Sequence, residues 1–345
     1  MPNIRFSESI SKRLFSFWTL NKIALQTYGR HAMGRKIAPD WDANTEIGIR
    51  FWRHQFTKAM LHDDIETGRQ IFNSVQTETD NQYPVASHPC KTCPGTWYIP
   101  DNAMPKAHIL YFHGGGYTFN GPISARFAAM LSHHAQANLF AAKYRLTPEH
   151  PHPAQSDDAL HAWTYLSDKV GPKNIVLMGD SAGGHMVLML MQQLRRLNQP
   201  QPRLCIALCP WTDIGERGAS LHLNDQYDLV QGWMALQFGK WLNPDNIYGR
   251  EELSPIYHDY KDLAPVYIQT GGREILHDMI CEFADIQSKN GAQIKLDVWP
   301  DMPHNFQAYD SMKTSSREAL TAIRNTVHSA FSPQFEENKF FESGT

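Results

Sequence analysis

The sequence predicts an α/β fold, a mostly parallel sheet with helices on both faces, and three features carry that reading. From about Thr96 onward, apolar runs of strand length alternate with helical patterns, as expected of strands covered by crossover helices. Two glycine-rich turns each follow directly on such a run. The chain has 345 residues, 42% hydrophobic and 19% charged, which is enough for one large globular domain with helical additions.

Taken in order, the candidate strands are 107–112, 139–144, 174–178, 204–208, 265–270 and 293–299, with 96–99 as a further antiparallel edge strand. Helical patterns lie between most of them, for example 185–197 and 278–290. Two regions break the alternation. Residues 1–80 read as helices rich in aromatics (Phe15, Trp18, Trp41, Phe51, Trp52, Phe56), and about 213–250 adds Tyr227, Trp233, Phe238 and Trp241. The expected organisation is an N-terminal helical cap region over 1–80 and a domain over 81–345 that carries a cap insertion at about 213–250. Large apolar side chains in such a lid can line a pocket, although for each one the plainer expectation is packing of the lid onto the body. The same expectation covers the stripe Ile10, Leu14, Phe17 and Trp18, which is read as docking on the body rather than on a membrane.

A net charge of −3 without long runs of Lys and Arg gives no footprint for a nucleic acid, and a small neutral substrate fits better. The N-terminus lacks the apolar core and cleavage site of a secretory signal, and no stretch is long enough to span a bilayer, so a cytoplasmic location is expected. Five cysteines do not form a disulfide framework. Cys205 and Cys209 read as small buried hydrophobes. Cys90 and Cys93 form a C-x-x-C beside two prolines, but no second pair has zinc-site spacing, so neither a metal nor a cofactor is expected.

Gly179-Asp180-Ser181-Ala182-Gly183-Gly184 follows the apolar run 175–178 and precedes a helical pattern, the strand, turn, helix context that G-x-S-x-G requires. The flanking glycines allow a strained turn that lifts the Ser181 hydroxyl above the sheet edge. His113-Gly114-Gly115-Gly116-Tyr117 follows the run 109–112. Three consecutive glycines forgo side-chain burial, and their use is close backbone approach. The amides of Gly115 and Gly116, with that of Ala182, can converge on a developing oxyanion. His113 itself reads as a brace for this loop.

A serine needs a base, and topology selects among 17 histidines. The partners follow the nucleophile in the order acid, then His, each at the carboxyl end of a strand. His304, just past the last strand, meets that demand. The acid must follow the strand ending near Thr270, where Glu274 and Asp278 are available. Glu274 is preferred because it lies in the loop, whereas Asp278 opens a helical pattern and can cap it.

Together these residues resemble the hormone-sensitive-lipase family of carboxylesterases, also called the HGGG family, over most of the chain from about residue 96 onward. The run from Tyr144 to Ala154 is similar to the family's Y-R-L-A-P-E-x-P-x-P-A segment and reads as architectural, with Arg145 and Glu149 able to pair within it. The resemblance implies an eight-stranded α/β-hydrolase fold with a helical cap. It also implies a two-step hydrolysis of carboxylic esters of short to medium acyl chain through an acyl-enzyme. The family's usual acid is an Asp in D-P-L-x-D, where this chain has Glu274-Ile275-Leu276-His277-Asp278. Two alternatives stay open: an amidase, arylformamidase or deacetylase using the same triad, and a non-catalytic receptor on the same scaffold, as in the plant gibberellin receptors. The expected partner is a small-molecule ester, and a homodimer is compatible with the sequence.

Overall fold

The apolar runs become strands because both their faces are covered. The computed structural model describes residues 4–6, 9–77, 83–309, 313–336 and 340–341. Its centre is an eight-stranded sheet of β1 (Val85–Pro89), β2 (Gly95–Pro100), β3 (His108–Phe112), β4 (Asn138–Ala142), β5 (Ile175–Asp180), β6 (Leu204–Leu208), β7 (Val266–Gly271) and β8 (Ile294–Trp299). The strand order is β1-β2-β4-β3-β5-β6-β7-β8, antiparallel at β1-β2 and β2-β4 and parallel elsewhere. The strand expected over 96–99 is therefore not an edge, since β1 lies outside it. β1 is mostly exposed and needs only backbone pairing with β2, so it carries no apolar run to read.

The helices are α1 (Ile10–Ala32), α2 (Ala43–Met60), α3 (Ile65–Asn73), α4 (Pro122–Ala135), α5 (Ala154–Val170), α6 (Ala182–Arg196), α7 (Gly232–Leu242), α8 (His277–Lys289) and α9 (Thr314–Ala330), with shorter turns between them. Side chains alternate between two core layers with the two-residue period of a strand. Ile109, Tyr111, Val176 and Met178 pack with α4 and α9, while Leu110, Phe112 and Leu177 pack with α5, α6 and α8. Burial on both faces explains why these strands read as continuous apolar runs.

The N-terminal helices obey a different logic. Asp42 caps α2 by accepting the Thr45 amide at 2.8 Å. α1 meets α2 through an apolar cluster, Leu20, Ile23 and Ala24 with Ile47, Phe51 and Trp52, and through polar groups: Gln55 donates to the Ser16 hydroxyl at 3.2 Å and Arg50 to the Thr27 hydroxyl at 2.6 Å. Glu46 is buried between them, 2.8 Å from His31. These contacts turn Ser16, Thr19, Ile23 and Thr27 inward and leave Ile10, Leu14, Phe17 and Trp18 exposed. The expectation that this stripe docks on the body fails because another face of α1, with Ser16, Leu20, Ile23, Ala24 and Thr27, packs on α2 and leaves the stripe on the outer side. Among the described residues no helix is long and apolar enough to cross a membrane.

The architectural segment after β4 contains cis bonds at Thr147–Pro148 and His152–Pro153. Its charges pair outward rather than with each other. Arg145 reaches Asp158 at 2.9 Å and Glu149 reaches Arg69 of α3 at 2.6 Å, which corrects the expected Arg145–Glu149 pair. Both partners come from helices, Arg69 from α3 and Asp158 from α5.

Candidate active site

The turn from β5 into α6 holds Ser181 at φ 55° and ψ −118°, a left-handed conformation that costs a non-glycine residue free energy. The surroundings hold it there: the Ser181 amide donates to Leu208 O at 2.8 Å, and Ser181 O accepts from His185 and Trp211 at 3.0 and 3.2 Å. A Cβ at Gly183 would stand 2.0 Å from Phe112 O, so glycine alone lets the elbow press on β3.

The glycine loop after β3 is equally constrained. Gly115 and Gly116 have φ of +98° and +61°, and a Cβ at Gly116 would stand 2.4 Å from the Phe238 ring. The amides of Gly115, Gly116 and Ala182 make no hydrogen bond to other described residues, and all three residues line one cavity with Ser181 and His304. His113 braces the loop as expected. Its ring stacks on Tyr144 at 4.3 Å, its Nδ1 lies 2.7 Å from Gly114 O, and burial pulls its pKa down to about 4.

Of the two candidate acids, only Glu274 meets the histidine. Its Oε2 lies 2.6 Å from His304 Nδ1, and Oε1 accepts from the Thr270 hydroxyl at 2.6 Å and the Gly271 amide at 2.8 Å. Both residues are buried. Asp278 instead accepts the Ser220 amide at 2.8 Å, which joins α8 to the insertion. Burial alone would depress the His304 pKa, but the Glu274 bond and charge, with the charges of Asp228 and Asp180, outweigh it and hold the imidazole above its ordinary value.

Two of these carboxylates escaped the sequence reading. Asp180 accepts from the Tyr111 hydroxyl (2.5 Å), the Gly114 amide (2.9 Å) and Asn305 Nδ2 (2.8 Å), so it ties the glycine loop, the elbow and the histidine loop together. Burial pushes its carboxyl up. Its position inside the G-D-S run was the available signal. Asp228 had none. It lies in the motif-free insertion and accepts the Leu229 amide at 2.7 Å and the Ile275 amide, next to Glu274, at 2.8 Å. Burial raises its pKa to about 6.

Cys209 is buried as expected, but its sulfur sits with His304 and Glu274 in a set whose donor atoms lie within 4.8 Å of one another. Asn305 donates its amide to that sulfur at 3.4 Å. Cys90 and Cys93 occupy the β1–β2 hairpin, and among the described residues no third His, Cys, Asp or Glu joins them in a metal-sized group.

The cavity holds about 1130 Å³. Phe51, Trp52 and Phe56 of α2, Phe72 of α3, Phe119 and Phe238 line its apolar wall. The other aromatics singled out above do not. Trp41 is buried with its Nε1 on Asp301 O at 2.6 Å, whereas Phe15, Trp18 and Trp233 are exposed.

Residues 109–308 match the family model described as the alpha/beta hydrolase fold. The chain is 31% identical to an acetyl-hydrolase of Streptomyces hygroscopicus over 66% of its own length and 77% of that protein. It is 26% identical to an esterase of Acinetobacter venetianus over 79% and 95%. The solved structure of EstE7, a hormone-sensitive-lipase homologue from a metagenome library, superposes with a TM-score of 0.72 at 26% identity, covering 82% of this chain and 98% of that one. The eight-stranded sheet, the serine elbow and the glycine loop agree with these likenesses, and the chain belongs to the alpha/beta hydrolase fold family, in its hormone-sensitive-lipase branch.

Proposed function

We propose that this protein is a carboxylesterase-type serine hydrolase in which Ser181 is the nucleophile, His304 the general base and Glu274 the acid that orients and charges it. The amides of Gly115, Gly116 and Ala182 form the oxyanion hole. The observation that carries the reading is the buried 2.6 Å Glu274–His304 pair, whose His304 lines the same cavity as a strained serine and uncommitted amides. The names of its relatives, acetyl-hydrolase and esterase, support the ester class.

In this reading His304 Nε2 takes the Ser181 proton as Oγ attacks the carbonyl, and Glu274 holds the Nδ1–H and stabilises the imidazolium. The tetrahedral oxyanion settles on the three amides, each typically worth a few kcal/mol of transition-state stabilisation. Collapse expels the alcohol, which receives the proton from His304, and water then clears the acyl-enzyme by the same steps. Helices α1–α3 and the insertion at about 213–250 act as the cap. The aromatic wall supports esters of short to medium acyl chain. The buried acid–histidine pair favours catalysis over the receptor reading.

A fluorophosphonate probe should label Ser181, and Ser181→Ala should lose both the label and about 10⁴-fold or more of kcat on p-nitrophenyl butyrate. Undiminished turnover by Ser181→Ala would refute the assignment. Rates on matched ester and anilide substrates separate an esterase from an amidase.

A further inference from the structure

Helix α1 carries apolar side chains on two faces, and only one of them is covered. Inward, Leu20, Ile23 and Ala24 pack with Ile47, Phe51 and Trp52 of α2 beside the buried Ser16, Thr19 and Thr27, whereas Ile10, Leu14, Trp18 and Leu25 are 77%, 64%, 65% and 77% exposed. Those four fall on one face at helical spacing. An apolar face of this length set toward water is unfavourable unless another apolar medium covers it. Charge identifies that medium. Between Ser9 and Pro39 the chain has six Lys and Arg (Lys12, Arg13, Lys22, Arg30, Arg35, Lys36) and no Asp or Glu, in a protein whose net charge is −3. Arg13 and Lys22 are exposed. A tryptophan and branched aliphatics bounded by cations match the boundary between acyl chains and anionic headgroups.

Position supplies the remaining argument. Leu20, Asn21, Ala24 and Tyr28 of the same helix line the cavity that contains Ser181. A surface that covered α1 would therefore lie beside the route into the site.

We propose that α1 is an interfacial helix that seats this protein on an anionic phospholipid surface, with Ile10, Leu14, Trp18 and Leu25 at the acyl boundary and the exposed Arg13 and Lys22 at the headgroups. The helix lies in the surface plane and does not span it. A corollary, that esters partition from the bilayer directly into the cavity, rests on the hydrolase reading; the docking itself does not.

The test is co-sedimentation of the full chain with vesicles of equal parts phosphatidylcholine and phosphatidylglycerol, and with phosphatidylcholine alone. Wild type is expected to pellet with the anionic vesicles, and raising the salt should weaken partitioning by about tenfold. Leu14→Ser/Trp18→Ser/Leu25→Ser should lower the partition coefficient by about 100-fold or more while leaving turnover of soluble p-nitrophenyl butyrate at the wild-type rate, since none of the three lines the cavity. Arg13→Glu/Lys22→Glu should lose anionic selectivity. The proposal is overturned if wild type stays in the supernatant with anionic vesicles, or if the triple variant pellets as well as wild type. It is also overturned if sedimentation velocity shows that the apolar face holds a dimer that the triple variant dissolves. Vesicle binding needs no turnover, so failure here is distinguishable from failure of the Ser181 assignment.

Discussion

The loops at the carboxyl ends of β3, β5, β7 and β8 and the helices that roof them are built on opposite rules. In the loops nearly every atom has an assigned place. Glycines are demanded where a Cβ would stand as close as 2.0 Å to a neighbouring carbonyl, the carboxylates of Asp180 and Glu274 are buried, and Asp180 ties three loops together. In the roof, α2, α3 and α7 present aromatic rings to an open cavity, and α1 packs one apolar face inward and leaves a second one exposed. The loops hold groups to the tolerance that bond making needs, while the roof supplies area and shape. Substitutions in the first region should therefore act on kcat, and those in the second on KM or on partitioning.

Glu274 offers the largest contrast. Glu274→Gln should keep the side chain's shape but lose the charge on His304, lowering kcat by about 10⁴-fold, whereas Asp278→Asn should retain kcat within about twofold because its partner is Ser220. Steady-state kinetics on p-nitrophenyl butyrate decides it, and an Asp278 variant as dead as the Glu274 one would break the contrast. Gly116→Ala comes next. Its methyl must displace the Phe238 ring and adopt φ +61°, which should cost about 10²- to 10³-fold in kcat with little change in KM. Trp52→Ala, by removing one wall of the cavity, should lower kcat/KM about tenfold to 100-fold for the longest acyl chains accepted, mainly through KM. A chain-length series of p-nitrophenyl esters reads this, and an equal loss on acetate and octanoate would refute it.

The smallest effect concerns pH. His304 must be neutral to accept a proton, and its raised pKa places the acid limb of kcat/KM above the ordinary imidazole value of about 6.5. Asp228→Asn removes a charge that favours the imidazolium, so the limb should move to lower pH. An unmoved limb would show that Asp228 only fastens the insertion to the acid loop.

How much of this was legible depends on whether a residue's role is local. Ser181 and the glycines 114–116 could be read because their task, a strained elbow and a tight loop, is set by neighbours within a few positions. The parallel strands could be read because burial on both faces leaves a continuous apolar run. β1 could not, since an exposed edge needs only backbone pairing. The helix boundary at His277 leaves Glu274 in the loop and puts Asp278 in α8, and it is the loop carboxylate that meets His304, 30 residues away.

What the sequence by itself determined is therefore the fold class, the strained serine elbow and the glycine loop beside it, because local backbone sterics and two-residue periodicity are written in consecutive residues. Tertiary structure alone decided that Asp180 and Asp228 join Glu274 around His304, that Arg145 and Glu149 find separate partners, and that α1 faces outward. These outcomes depend on which distant group satisfies a charge or a hydroxyl once water is excluded, and no spacing along the chain encodes that competition.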